Sequence, residues 1–431
     1  MLATLARAWQ VPELRKRLAF VLIMFAVFML AVHIPVPGIN SNQMALLFKN
    51  AGILNLINMF SGGALKRYSI LAMSITPYIN ATIIMQLMGV LVPQIDELRK
   101  EGESGRRQIA KWTRYLTIVL AIAQAGMMNT MLFRAKVLHV SPFQFVGITL
   151  ILTAGTTFLM WMGELLTERG IGNGVSLVIF VGIMVRLPQQ FFESWKEAQV
   201  SNGFLMFVVL ILLFLAVIVS IVTMNDAERR IKIQSARKVQ GTKVYQGSTT
   251  YLPIKLTSAG VMPIIFAISV LLVPATIVKF IPASLLHISG TTWTMFQSKV
   301  QHWTNPGQSA VASIIYFALV VFFTFFYTAV TYNVQDIADN LRKWGSYIPA
   351  VRPGRPTHDH IDRILTRLTS VGAIYFGFIA LTQYYIPDWT GFKSFTLVGG
   401  TSLLIVVGVG LETMLMLETQ LLMRDYEGFI K

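Results

Sequence analysis

The feature that most constrains this chain is a series of ten apolar runs, most of them long. They lie at roughly 18–34, 68–92, 115–133, 145–162, 175–185 with its flanks, 204–224, 258–278, 310–332, 368–386 and 397–411, the last running on to 417. A helix needs ~20 apolar residues to cross a bilayer, or fewer where thinning or snorkelling helps. Water offers no place for so much apolar surface. Hydrophobic residues make up 54% of the 431 and charged residues only 13%, where ordinary soluble domains carry about 25% charged residues. In hydrocarbon each peptide group must find its hydrogen bond inside its own segment, so the runs are predicted to be helices. The expected fold class is an all-α membrane protein with ten transmembrane helices.

Charge fixes the orientation. There are 36 Lys and Arg against 20 Asp and Glu, an excess that in a soluble chain would point to nucleic acid. Here position decides. Counted loop by loop, 26 of the 36 basic residues fall on the side that holds both termini. Basic loops stay in the cytoplasm, so both termini are expected there. Arg7, Arg15, Lys16 and Arg17 precede the first run as in a signal peptide, but no A-x-A site follows and Pro35-Val-Pro-Gly38 closes the run. A retained first helix is expected.

The spans hold almost nothing ionisable. Glu164 and Glu412 lie near span ends and His33 beside a proline turn, where interfacial charges are expected. There is no cysteine, no HExxH and no GxxxxGK[ST], and the six histidines have no metal-ligand spacing. His358-Asp-His360 is expected to be a solvated turn, and Gly170-Ile-Gly-Asn-Gly174 the turn that starts a helix. No cofactor and no metal are expected, and the chain is expected not to be an enzyme. A secondary transporter would need charges inside its spans, and an intramembrane enzyme a catalytic constellation; a passive conduit needs neither.

Polar residues within the spans are small. Ser74, Thr76, Pro77, Asn80, Thr82 and Gln86 lie in the second, and Ser258, Gly260, Pro263 and Pro274 in the seventh. Composition alone fits two roles equally, lining a water path or bonding helix to helix. The stretch Ile53–Phe60 is apolar but too short to cross, and Ser61-Gly-Gly63 breaks it. It suits a re-entrant segment or an interfacial helix.

Two basic loops are long, at 225–256 and 333–367. The first carries Arg229, Arg230, Lys232, Arg237, Lys238, Lys243 and Lys255, with hairpin chemistry over Arg237–Tyr251. The second carries Arg342, Lys343, Arg352, Arg355, Arg363 and Arg367, stiffened by Pro349, Pro353 and Pro356. Ordered basic surfaces of this kind suit docking of an acidic partner or of ribosomal RNA phosphates.

Several stretches carry a resemblance. They are Ile34-Pro-Val-Pro-Gly38, Asn58-Met-Phe-Ser-Gly-Gly-Ala-Leu65, Thr76-Pro-Tyr-Ile-Asn80 and Lys100-Glu-Gly-Glu-Ser-Gly-Arg-Arg107. Further along come Thr167-Glu-Arg-Gly-Ile-Gly-Asn-Gly174, Tyr251-Leu-Pro-Ile-Lys255, Ala350-Val-Arg-Pro-Gly354 and Gly399-Gly-Thr-Ser-Leu-Leu-Ile405. In this order and at these spans they resemble the SecY family, the channel-forming subunit of the bacterial Sec protein translocase. The resemblance implies two inverted five-helix halves around a central pore, 1–190 and 191–431. Secretory polypeptides would cross through the pore, and membrane segments would leave sideways into lipid. It implies a pore ring at Ile75, Ile79, Ile179, Ile265, Ile277 and Ile405, where branched aliphatics can dewet a constriction.

The resemblance also implies a plug over about 53–66, containing Asn58, Met59, Phe60, Ser61, Gly62 and Gly63, with the Ser-Gly-Gly part loosely packed. A lateral gate would use Asn80, Gln124 and Thr257, the last in place of the family's usual Asn. Arg237, Lys238, Lys243, Arg352 and Arg355 would dock a SecA-type motor ATPase or the ribosome, and SecE-type and SecG-type small subunits would accompany the chain. Signal-sequence-bearing polypeptides would be the substrates, membrane lipid the surroundings, and the inner membrane of a bacterium the location.

Overall fold

The computed structural model describes residues 2–39, 44, 58, 61–135, 137–200, 203–235, 238–240, 243–245, 249–257, 259–280, 290–392 and 400–430. Its elements run α1 (Leu2–Gln10), α2 (Pro12–Val32), α3 (Ala64–Arg67), α4 (Thr76–Leu91), α5 (Pro93–Lys100), α6 (Glu103–Arg134), α7 (Pro142–Arg169), α8 (Gly174–Val200) and α9 (Phe204–Asp226). Strands β1 (Glu228–Ser235), β2 (Lys238–Gln240), β3 (Lys243–Tyr245) and β4 (Thr249–Lys255) follow. Then come α10 (Met262–Phe280), α11 (Gly290–Thr304), α12 (Ala310–Thr331), α13 (Val334–Lys343), β5 (Ser346–Tyr347), α14 (Arg355–Thr390) and α15 (Gly400–Ile430).

Each of the ten apolar runs carries a helix: α2, α4, α6, α7, α8, α9, α10, α12, α14 and α15. Seven described helices are long and apolar enough to cross a bilayer by themselves, and α4 with α5, bent by 100°, makes an eighth. Helix starts follow local chemistry. Proline stands in the first turn of α2, α4, α5, α7 and α14, where its missing N–H costs nothing. Ser141 and Gln144 form a reciprocal capping box on α7. Asn173 accepts from the N–H groups of Val175 (3.0 Å) and Ser176 (3.3 Å), so the Gly170–Gly174 segment is the helix-start turn expected of it.

Three boundaries differ from the sequence reading. The second span starts at Thr76 rather than Tyr68, because Tyr68 (φ 46°) and Ser74 (φ 54°) are left-handed and break any helix across 68–75. His358, Asp359 and His360 lie in the first turns of α14 rather than in a solvated turn. Pro356 sets the helical φ there and leaves no N–H to be satisfied. The fifth helix runs on well past Val185 to Val200.

Contacts divide the chain into two compact units. One comprises 1–200, 272–305 and 409–431; the other comprises 201–271 and 306–408. In the first, Val36, Leu65, Tyr68, Ala72, Ala125, Leu132, Leu138 and Leu152 belong to one buried cluster. It packs the segment before α4 against α6 and α7. Gly155 makes this possible, since a Cβ there would stand 1.9 Å from the Ile70 carbonyl oxygen.

In the second unit the two basic loops fold together. β1 pairs antiparallel with β4, Glu228 opposite Lys255 through Gln234 opposite Thr249, and β2 with β3 forms the tip. β5, from the other loop, pairs with the far end of β1. Ile231, Ile233 and Ile254 bury themselves with Val334, Leu341, Ile348, Ile361 and Leu365. Burial of eight such side chains contributes on the order of 10 kcal/mol, an upper figure for the reference chain used. Sequence foresaw one hairpin over Arg237–Tyr251. The observed pairing begins at Glu228 and joins both loops, because alternate isoleucines at 231 and 233 needed a shared core.

Candidate functional elements

Asn58 and the Ser61–Lys66 turn are bonded to one another. The Asn58 carbonyl accepts from the Gly63 N–H (3.0 Å) and from Ser61 Oγ (3.0 Å), and Asn58 Oδ1 accepts from the Lys66 N–H (2.8 Å). Ser61 Oγ in turn accepts from the Leu65 N–H at 3.3 Å. Gly62 (φ 66°) and Gly63 (φ 88°) make the turn, which residues with a Cβ rarely adopt.

This turn is buried and tightly packed rather than loose. Asn58 and Ser61 are almost wholly inaccessible. The Cβ position of Gly62 lies 3.4 Å from the Gly182 backbone and from the Phe28 ring, and that of Gly63 3.8 Å from Arg186. A Cβ would find ordinary contact distance at both positions, so glycine here serves the left-handed backbone of the turn rather than close approach. Asn58 Nδ2 is buried without a hydrogen-bond partner among the described residues. Met59 and Phe60 lie outside the described residues.

The six isoleucines fall as follows. Ile75 immediately precedes α4 and is buried, and its carbonyl accepts the Ile79 N–H at 3.1 Å, so the two share one helix face. Ile179 is buried on α8, Ile265 on α10 and Ile405 on α15. Ile277 is on α10, its side chain outside the described residues. Ile75, Ile79, Ile179 and Ile277 belong to the first unit, Ile265 and Ile405 to the second.

Of the three polar positions, Asn80 on α4 and Gln124 on α6 are half-buried. Thr257 is buried, and its hydroxyl donates to Asn225 Oδ1 at 2.9 Å, at the end of α9. Sequence did not single out Asn225, because 32 residues separate it from its partner. Elsewhere on α4, Thr82 donates to its own helix at the Tyr78 carbonyl (2.9 Å), whereas Gln86 Oε1 is buried without a partner among the described residues.

On the basic loops, Arg352 and Arg355 are exposed. The loop bearing Arg352 is held from below: Thr357 Oγ1 donates to the Arg352 carbonyl (2.8 Å), and the Val351 N–H to that of Ile348 (3.1 Å), a core residue. Trp344, 73% exposed, follows Arg342 and Lys343. Lys238 and Lys243 sit on the β2–β3 tip with side chains outside the described residues, and Arg237 lies outside them altogether. Among the described residues no group of three or more His, Cys, Asp or Glu could hold a metal ion.

Comparison with known proteins agrees with this architecture. The SecY family model matches residues 69–414. A protein translocase subunit SecY of Streptomyces coelicolor is 40% identical, with all of both chains covered. That of Thermotoga maritima is also 40% identical, over 98% of this chain and 96% of the relative. Among solved structures, one described as a protein conducting channel aligns with a TM-score of 0.66 at 16% identity, covering 96% of each chain. Sec61 in the canine ribosome-channel complex aligns with a TM-score of 0.63, also at 16% identity and covering 96% of each.

Proposed function

The chain belongs to the SecY family, and on that premise we propose that its ring, plug, gate and basic platform work together to pass unfolded polypeptides through a membrane. It is a multi-pass membrane protein and a protein-translocase channel subunit. The observation that carries this is the match over the whole chain to protein translocase subunits, on the fold of a protein-conducting channel.

The chemistry of the chain supports the finer reading. A polypeptide of arbitrary sequence needs a path without specific sites, and aliphatic rings provide one while blocking ions by dewetting. Ile75, Ile79, Ile179, Ile265, Ile277 and Ile405 fill that role, Asn58–Gly63 that of the plug, and Asn80, Gln124 and Thr257 that of the lateral gate. Energy comes from outside: Arg352 and Arg355 are exposed on a loop held by Thr357 and Ile348, and Arg237, Lys238 and Lys243 add basic residues at the other loop. The fixed loop under Arg352 and Arg355 is the part of this surface whose support is described, and it suits an acidic motor of the SecA type or the phosphates of a ribosome. Small subunits of the SecE and SecG types complete the assembly, in the inner membrane of a bacterium with both termini cytoplasmic.

The test is reconstitution. Purified chain with a SecE-type subunit in vesicles, supplied with SecA-type motor, ATP and a signal-bearing preprotein, is expected to give protease-protected preprotein. No protection, or steady solute uptake without any motor, would overturn the reading.

A further inference from the structure

The segment between the plug turn and α4 holds an unusual residue. Tyr68 is fully buried and left-handed, at φ 46°. A bulky residue rarely adopts that region and persists there only where its surroundings hold it. Three bonds do so. Its phenol donates to Asn129 Oδ1 on α6. Its carbonyl accepts the Val36 N–H at 3.0 Å, and its own N–H reaches the Leu65 carbonyl at 3.1 Å.

Asn129 is equally buried and is itself fixed. Its Nδ2 donates to Thr149 Oγ1 on α7 at 2.8 Å, and that hydroxyl donates to the Phe145 carbonyl at 2.9 Å. The chain of bonds therefore ties one backbone point to two spans. Just beyond it the Ile70 N–H donates to the Ile34 carbonyl at 3.1 Å, and the Ile70 carbonyl lies directly on Gly155. Before it, the bonds of Asn58, Ser61 and Gly63 stay within the turn. Lys66 and Arg67 are exposed. Side-chain and backbone hydrogen bonds from this segment to other elements thus begin at residue 68 among the described residues, while the Ser69 N–H bond to the Ala64 carbonyl (2.9 Å) and the burial of Leu65 in the shared cluster join the turn to the stem that follows.

We propose that Tyr68 is a positioning residue, anchored through Asn129, that sets where the plug hinges: residues before it move when a polypeptide enters, and 69–75 stay in place. This rests on the plug reading above. It also explains why the strain sits at 68, since a fixed pivot needs a conformation that the plug's motion does not relax.

The experiment uses the full chain, which has no cysteine, so label pairs can be introduced cleanly. Spin labels at Lys66→Cys and at Ile70→Cys are each paired with one at Phe143→Cys, an exposed position on α7. Distances are measured in vesicles at rest and with a stalled preprotein. The 66–143 distance is expected to shift on engagement and the 70–143 distance to hold. In Tyr68→Phe, and in Thr149→Val as a second variant that removes Asn129's own acceptor, the 70–143 distance is expected to shift as well. The displaced fraction at rest should rise roughly threefold, the weight of one interhelical hydrogen bond. Tyr68→Phe combined with Asn129→Ala should add little to either alone. Movement of both labels in the unmodified chain would overturn the anchor while leaving the plug reading intact, as would variants indistinguishable from it. A 66–143 distance that never shifts would overturn the plug reading and the anchor with it.

Discussion

Arg114 Nε donates to Glu164 Oε1 at 2.7 Å, joining α6 to α7 across 50 residues of sequence. Glu164 is the less exposed partner. Its place near a span end is that of the interfacial charge its position in the sequence predicts. Polar bonds between membrane helices contribute about 0.6 kcal/mol on average and up to about 1.7 kcal/mol. Arg114→Ala or Glu164→Ala is therefore expected to lower unfolding stability in mixed micelles by about 1 kcal/mol, and the charge-swapped pair to recover most of it. Equal losses in the swap and the single variants would contradict a direct pairing.

Two glycines on α7 make a matched test of packing. A Cβ at Gly155 would stand 1.9 Å from the Ile70 carbonyl oxygen, while nothing lies within 4 Å of one at Gly147. Gly155→Ala is expected to cost several kcal/mol, through displaced backbone rather than a movable side chain. Gly147→Ala should be neutral or raise stability by up to about 1 kcal/mol. Thermal unfolding of the two variants in one detergent decides it.

The proposed isoleucine ring predicts a leak. Replacing Ile79 or Ile277 with Asn should let water remain in the constriction and raise resting ion conductance by about tenfold or more. Single-channel recording of the reconstituted variants is the measurement, and conductance at the unmodified level would remove these residues from the barrier.

The platform predicts a separable defect. Arg352 projects from a loop whose backbone is fixed by Thr357 and Ile348, so Arg352→Glu should leave folding and insertion unchanged. Motor-driven preprotein transport should fall about tenfold or more, as reversing a charge at a docking surface repels the partner. Undiminished transport in vesicles would place docking elsewhere.

Much of this protein was legible in its runs. Length and apolarity alone force helices in hydrocarbon, so ten helices followed, as did the turn at Gly170–Gly174. Local chemistry also placed order in the two basic loops. It did not reveal that they share one sheet, because β5 meets β1 at Gln234 opposite Tyr347, and no local pattern encodes a partner more than a hundred residues away.

The same limit governs the functional elements. Composition made Ser61, Gly62 and Gly63 a break in the apolar stretch, and the resemblance implied that they pack loosely. The tertiary structure made them a buried turn seated on Gly182 and Phe28. It also chose Asn225 for Thr257, Glu164 for Arg114 and Asn129 for Tyr68. The sequence by itself determined which segments enter the membrane, since the transfer of each run depends on its own residues. Which polar groups meet inside depended on packing, because in hydrocarbon a buried donor must find an acceptor and only the assembled helices determine which is near.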